Sequence, residues 1–261
     1  MSSEITSFPA ESGHWYARTG EPVYEVPKAN GNGTRATNIK DARKLGLVPS
    51  VTLILKEIAK PGLEIWKLQQ LLLASMTLPR QPDELEDAYC RRVLEDSRTQ
   101  AEKARERGTI LHGAIEQHIR GETVSPEWVA HCDLVRDTLG QHGINLLGAQ
   151  PEKCFASTLG YGGKVDAFSA EPWIVDFKTK DVIDPNKKMA YDEHVMQLAA
   201  YAHGLDLPMN SVRALNVFIG VTDCKVAVYE WTALDLRRGW RMFCSILDYW
   251  KLKTTVNPPL Q

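Results

Sequence analysis

The stretch from residue 152 to residue 181 constrains the chain more than any other. It contains EKCFASTLG, GGKVDAFSA and WIVDFKTKD, three short runs rich in β-branched and aromatic residues, separated only by Gly or Glu-Pro connections. Connections this short join antiparallel neighbours, so the three runs predict a β-meander. Strand side chains alternate faces, so Asp176 and Lys178 share one side of the third run while Val175 and Phe177 share the other. One side is core. The other carries an acid and a lysine, which is either an ion pair or chemistry.

The flanking pattern sets the fold class. Residues 14–37, HWYARTGEPVYEVPKANGNGTRAT, place aromatic and β-branched residues around Gly, Asn and Pro, which predicts short strands or a hairpin with an exposed tip. The texture then turns helical. Ser50 or Thr52 caps a first helix, Pro61-Gly62 breaks it, and Leu63 to Met76 forms a second. A charged stretch from Pro82 to Arg107 forms a third. Gly108 predicts a break and Thr109 the cap of the next helix, where Leu111, Ile115 and Ile119 recur at four-residue spacing. Another helix over PEWVAHCDLVRDTLGQHG ends at Gly143. Beyond the meander come a helix over DEHVMQLAAYAHGL, strands over SVRALNVFIG and KVAVYEWT, and a closing helix over ALDLRRGWRMFCSILDYWK. The expectation is an α/β fold: a mixed sheet, antiparallel at its start, flanked by helices. A hairpin and helical region over 1–104 would cover the site and shape a channel, with the core over 105–261.

Bulk composition narrows the functions. The formal charge is −2, so there is no global basic excess, and contact with nucleic acid would need a local basic surface. The 5 cysteines form no C-x-x-C pair, which argues against a disulfide framework or a zinc knuckle and predicts reduced thiols. No run reaches the ~20 apolar residues of a membrane span and no signal peptide is evident, so a cytoplasmic protein is expected. No G-x-x-x-x-G-K-[ST] loop is present, so no fused motor is expected.

Polar positions of the meander converge. Asp166 lies in the middle run, and the turn at Glu171-Pro172 lets it lie beside Asp176. Two carboxylates meeting at a sheet repel unless a cation sits between them, and such oxygen ligands suit Mg²⁺ or Mn²⁺. A lysine beside that ion can orient water or stabilise charge growing on a phosphate. On the next helix Gln197 and Tyr201 share a face, with His194 one turn earlier. Upstream, His112 and Glu116 stand in the same i, i+4 relation.

Taken in order, RGTILHGAIEQHI, GGKVDAF, VDFKTK and QLAAY resemble the RecB-like branch of the PD-(D/E)XK nuclease superfamily, whose core is a restriction-endonuclease-like mixed sheet. The likeness covers roughly residues 105–230. PSVTLILKEIAKPGLEIWK also resembles, more weakly, the N-terminal segment of phage-type and mitochondrial-genome-maintenance exonucleases. The resemblance implies that His112, Asp166, Asp176 and the backbone carbonyl of Phe177 bind one or two Mg²⁺ or Mn²⁺ ions. It implies that Lys178 serves catalysis, and that Gln197 and Tyr201 support the site or contact DNA. Relatives with an iron–sulfur cluster carry three clustered cysteines behind the core; this chain does not, and no such cluster is expected.

The implied activity is exonucleolytic hydrolysis of DNA in phage-type recombination, DNA processing or repair, within a bacterial or phage-infected cell. Endonucleases and single-strand-specific nucleases share these motifs, and a DNA-binding or assembly protein with a relict core is the reading of another class. Expected partners are DNA and a single-strand annealing or binding protein, with an oligomer left open. Lys180, Lys187 and Lys188 follow the catalytic strand and are candidate DNA contacts, as is His194. Trp66 is a candidate stacking or wedge residue at a DNA strand end, against the alternative of core packing. Glu152 is either a further acid at the site or a solvent-facing cap of the first strand. The arginines between 91 and 107 are either a basic surface or a solvated helix face paired with nearby acids.

Overall fold

The computed structural model describes residues 14–256. It opens with β1 (Trp15–Tyr16), a hairpin of β2 (Glu25–Pro27) and β3 (Thr34–Ala36), α1 (Ile39–Leu45) and β4 (Val48–Pro49), which returns to pair antiparallel with β1. The hairpin tip is exposed, as the turn residues predict. Asn38 caps α1 by accepting from the amides of Lys40 and Asp41, and Gly46 ends it at φ 66°. Ser50 caps the short α2 (Val51–Ile54), its hydroxyl accepting from the Leu53 amide. Pro61 lies in the first turn of α3 (Pro61–Thr77), where its missing N–H has no cost.

One expectation fails in the next element. α4 (Glu86–Ile119) is a continuous helix of 34 residues that runs straight through Gly108. Thr109 is no cap; its hydroxyl donates back to the Arg105 carbonyl. A single Gly inside a helix costs only about 1 kcal/mol relative to Ala, and flanking Glu, Ala, Lys and Arg offset that. Gly108 has a packing reason as well: a Cβ there would lie 2.5 Å from the Thr179 hydroxyl. Position 104/105 therefore falls within a helix. α5 (Pro126–Gln141) follows, and Gly143 closes its end at φ 71°.

The sheet comprises β5 (Gln150–Ser157), β6 (Tyr161–Ser169), β7 (Trp173–Lys180), β8 (Arg213–Gly220) and β9 (Val226–Trp231), in that spatial order. The first three strands form the expected antiparallel meander. α6 (Asp192–Gly204) then carries the chain across so that β8 lies parallel to β7, and β9 pairs antiparallel with β8. α7 (Ala233–Thr254) closes the fold behind a capping box of Thr232 and Asp235. The architecture is mixed α/β, built on a five-stranded sheet with helices on both faces.

Each face has its own core. Trp173, Val175, Phe177, Leu215 and Val217 pack with α4 and α5 on one side. Ile174, Ala214 and Phe218 pack with α6 and α7 on the other, where Trp15, Leu47, Val51 and Ile54 join them. The N-terminal segment is thereby fastened to the sheet, with Trp15 6.0 Å from Trp250 between ring centroids. All 5 cysteines are unpaired, and among the described residues no helix is long and apolar enough to cross a membrane.

Candidate active site

The site lies where β6 and β7 part. Their ladder runs from Ser169↔Trp173 to Ala167↔Val175 and stops before Asp166 would meet Asp176. Val165 and Ala167, two positions apart, belong to cores on opposite faces, so the alternation of β6 breaks at Asp166. Asp166 replaces the missing rung with its side chain: Oδ2 accepts from the Phe177 amide at 2.8 Å. His112, reaching down from α4, brings Nδ1 to 3.8 Å from the same oxygen. Its ring stands edge-on to Phe177, with centroids 6.1 Å apart.

Asp176 is the hub. It is 2% exposed and faces α6, as the alternation predicts. Lys178 Nζ donates to its Oδ1 at 2.9 Å and lies 2.8 Å from its Oδ2. Gln197 Nε2 donates to Oδ1 at 2.9 Å and Asn216 Nδ2 to Oδ2 at 2.7 Å. An ammonium has no acceptor, so Gln197 must turn Oε1 to Lys178 (3.0 Å), leaving Nε2 for Asp176 and the Tyr201 hydroxyl (2.9 Å). An indole N–H only donates, so Asn216 turns Oδ1 to Trp231 Nε1 (2.7 Å) and its amino group to Asp176. Burial pushes the Asp176 carboxyl up from its ordinary range, Lys178 opposes the rise, and Asp166 adds to it. Burial, then Asp176 and Asp166, hold the Tyr201 hydroxyl well above its usual range, so Tyr201 is a neutral phenol.

These groups open into a cleft of about 240 Å³ lined also by His14, Tyr16, Tyr24, Ser50, Thr52, Gly163 and Lys164. The paired glycines of GGKVD make the approach possible. A Cβ on Gly162 would lie 3.0 Å from Tyr16 Cβ and 2.9 Å from the Phe155 carbonyl oxygen; one on Gly163 would lie 2.8 Å from the Tyr201 ring. The hairpin region and the start of α2, rather than α3, therefore wall the site.

The other expected residues lie apart from this cluster. Glu116 pairs with Arg120 on its own helix, and Glu152, at φ 57°, pairs with Lys164. His194 is a buried capping residue whose Nδ1 accepts from the Tyr191 amide at 3.2 Å. Lys180 follows Lys178 at the end of β7, and burial, then Lys178, lower its ammonium. Lys187 is 3.7 Å from Asp184, and Lys188 Nζ lies 5.3 Å from the Tyr191 ring centroid. Trp66 is half-buried in the middle of α3. Asn216 is the member sequence reasoning missed. Its signal was a lone amide in the apolar run ALNVFIG, placed by register directly beside Asp176.

The donor set suits a hard divalent ion in part. Mg²⁺ is commonly held by one or two carboxylates, with waters and substrate phosphates completing the shell, and Asp166 and Asp176 offer that pair. A preformed three-residue set is another matter: among the described residues no group of 3 His, Cys, Asp or Glu side chains is arranged to hold a metal. The Asp176 oxygens already accept from Lys178, Gln197 and Asn216. An ion here would share Asp176 with Lys178.

The fold defines a mixed α/β protein with a polar cleft at the parted strands. No family model and no curated protein matches the chain. Among solved structures it is similar to a protein described only as SSO0001, at 15% identity over 75% of this chain and 95% of that one, with a TM-score of 0.33. That likeness is too low to carry an argument.

Proposed function

We propose that this chain is a Mg²⁺- or Mn²⁺-dependent deoxyribonuclease that hydrolyses phosphodiester bonds from DNA ends, on a restriction-endonuclease-like core of the RecB-like type. The observation that carries this reading is the convergence of four sequence-distant motifs. Asp176-Lys178 and Gln197-Tyr201 share one hydrogen-bonded cluster, and Asp166, bonded to the Phe177 amide, and His112 line the same cleft. A structural ion pair does not require an acid on the neighbouring strand and an amide on the next helix to meet it in one cleft.

Asp166 and Asp176 would hold a divalent ion, which would supply Lewis-acid polarisation of a phosphoryl oxygen and a lowered pKa for water. The protein's part is positioning and charge. Lys178 Nζ, held by Asp176 and Gln197, presents a fixed positive charge toward the cleft, where it can position water and stabilise charge on the scissile phosphate. Gln197 and Asn216 lock the Asp176 carboxylate in one orientation, and Tyr201 backs Gln197. The test is Asp166→Ala and Asp176→Ala: each should abolish metal-dependent DNA cleavage while circular dichroism stays native. Full activity in either variant would overturn the assignment.

One observation favours a second reading, a DNA-binding protein with a relict core: the Asp176 oxygens are all engaged by protein donors. Calorimetric titration separates the two. Mg²⁺ or Mn²⁺ affinity that disappears in Asp176→Ala supports the nuclease.

A further inference from the structure

We infer that the paired rings of His14 and Tyr24 form a stacking platform for the terminal base of an unpaired DNA strand, so that the substrate of this cleft is a single-stranded end. The inference rests on the nuclease reading above.

His14 and Tyr24 line the same cleft as Asp166, Asp176 and Lys178. Their ring centroids are 4.6 Å apart with planes tilted by 31°. His14 is exposed and Tyr24 half-buried, so the pair offers aromatic surface to the cleft instead of filling core. Tyr16, which is buried, holds Tyr24 from its edge: the rings are T-shaped at 5.8 Å and the hydroxyls lie 2.9 Å apart. Although His14 is exposed overall, partial desolvation of its ring, then Lys164 and Lys56, lower the imidazole below its ordinary range.

The platform is rigidly mounted. The His14 carbonyl accepts from the Ser50 amide at 2.9 Å, and the Tyr24 carbonyl from the Thr37 amide at 2.9 Å. Ser50 in turn bridges to Gly162, four residues before Asp166. The distance from platform to carboxylates is thereby set by the sheet itself.

Size and chemistry then select the ligand. At about 240 Å³ the cleft is smaller than the ~300–1,000 Å³ of common ligand pockets, which favours one base laid on the rings over a base pair. Base-on-ring stacking accepts any base and is worth roughly 1–3 kcal/mol per base, as a sequence-tolerant nuclease needs. Lys164, paired with Glu152, lies on the same wall.

The experiment compares a labelled single-stranded oligonucleotide, the same sequence as a blunt duplex, and the small diester bis(p-nitrophenyl) phosphate, all with Mn²⁺. The wild-type protein should cleave the single strand faster than the blunt duplex. Tyr24→Leu should lower the ratio of oligonucleotide to diester kcat/KM by roughly tenfold, mainly through KM. Tyr24→Phe, which keeps the ring and loses the hydroxyl, should retain the ratio. Equal cleavage of duplex and single strand, an unaltered ratio in Tyr24→Leu, or a Tyr24→Phe defect as deep as that of Tyr24→Leu would each overturn the inference alone. No metal-dependent hydrolysis of any of the three would overturn the nuclease reading beneath it.

Discussion

Asp176 and Asn216 occupy paired positions on the parallel strands β7 and β8, and Asn216 Nδ2 donates to Asp176 Oδ2 at 2.7 Å. Because Asn216 is wholly buried and also accepts from Trp231, its removal strips a partner from a buried carboxylate and from a buried indole. Asn216→Ala should destabilise the protein by about 1–3 kcal/mol, measured by urea unfolding. Cleavage should fall too, since Asp176 loses one of its orienting donors. A variant as stable and active as wild type would contradict this role.

A divalent ion should stabilise the fold. Burial raises the Asp176 carboxyl, so its folded pKa lies above its unfolded value. Its favourable contribution is therefore present below the unfolded pKa and lost as pH rises, and at neutral pH the ionised carboxylate weakens the fold. A cation between Asp166 and Asp176 recovers that loss. At saturation near 100 times Kd the gain is about 2.7 kcal/mol, seen as a higher Tm with Mn²⁺ than with EDTA. The shift should vanish in Asp166→Ala.

His194 predicts an acid sensitivity of opposite sign. Its imidazole is lowered to about 3, first by burial, then by Lys178, Lys180 and Lys60. The neutral ring's contribution is thus full above the unfolded pKa of about 6.5 and lost as pH falls toward 3. Urea unfolding at pH 7, 5.5 and 4 should show stability falling with about one proton's slope. His194→Gln should flatten that segment; an unchanged slope would show that His194 is not the responsible group.

Gly163 is sterically required. A Cβ there would meet Tyr201 Cε1 and Phe155 Cε1 at 2.8 Å each. Gly163→Ala should cost about 1–3 kcal/mol through displaced rings. It should also lower kcat, because Tyr201 backs Gln197. Differential scanning calorimetry and single-turnover cleavage check the two effects.

How far the sequence could be read follows physical lines. The meander was legible because alternation and short turns are local signals, and they put Asp176 and Lys178 on one face. Gly108 misled because a glycine's cost in a helix is small beside a long run of strong helix formers. Asn216 escaped because its role depends on the register of β8 against β7, which no local pattern specifies. The wall of His14, Tyr16 and Tyr24 escaped for a related reason: it reaches the cleft through the Ser50 to Gly162 bridge, a contact between distant segments. His194 shares a helical face with Gln197, yet the capping bond to Tyr191 turns it to a structural task.

The central claim is tested most directly by digestion of end-labelled linear duplex, linear single strand and covalently closed circular DNA with Mg²⁺ or Mn²⁺, beside Lys178→Ala. The account predicts metal-dependent loss of linear DNA, fastest for the single strand, with the circle intact and Lys178→Ala inactive. No metal-dependent loss of any substrate, or a Lys178→Ala protein as active as wild type, would contradict it.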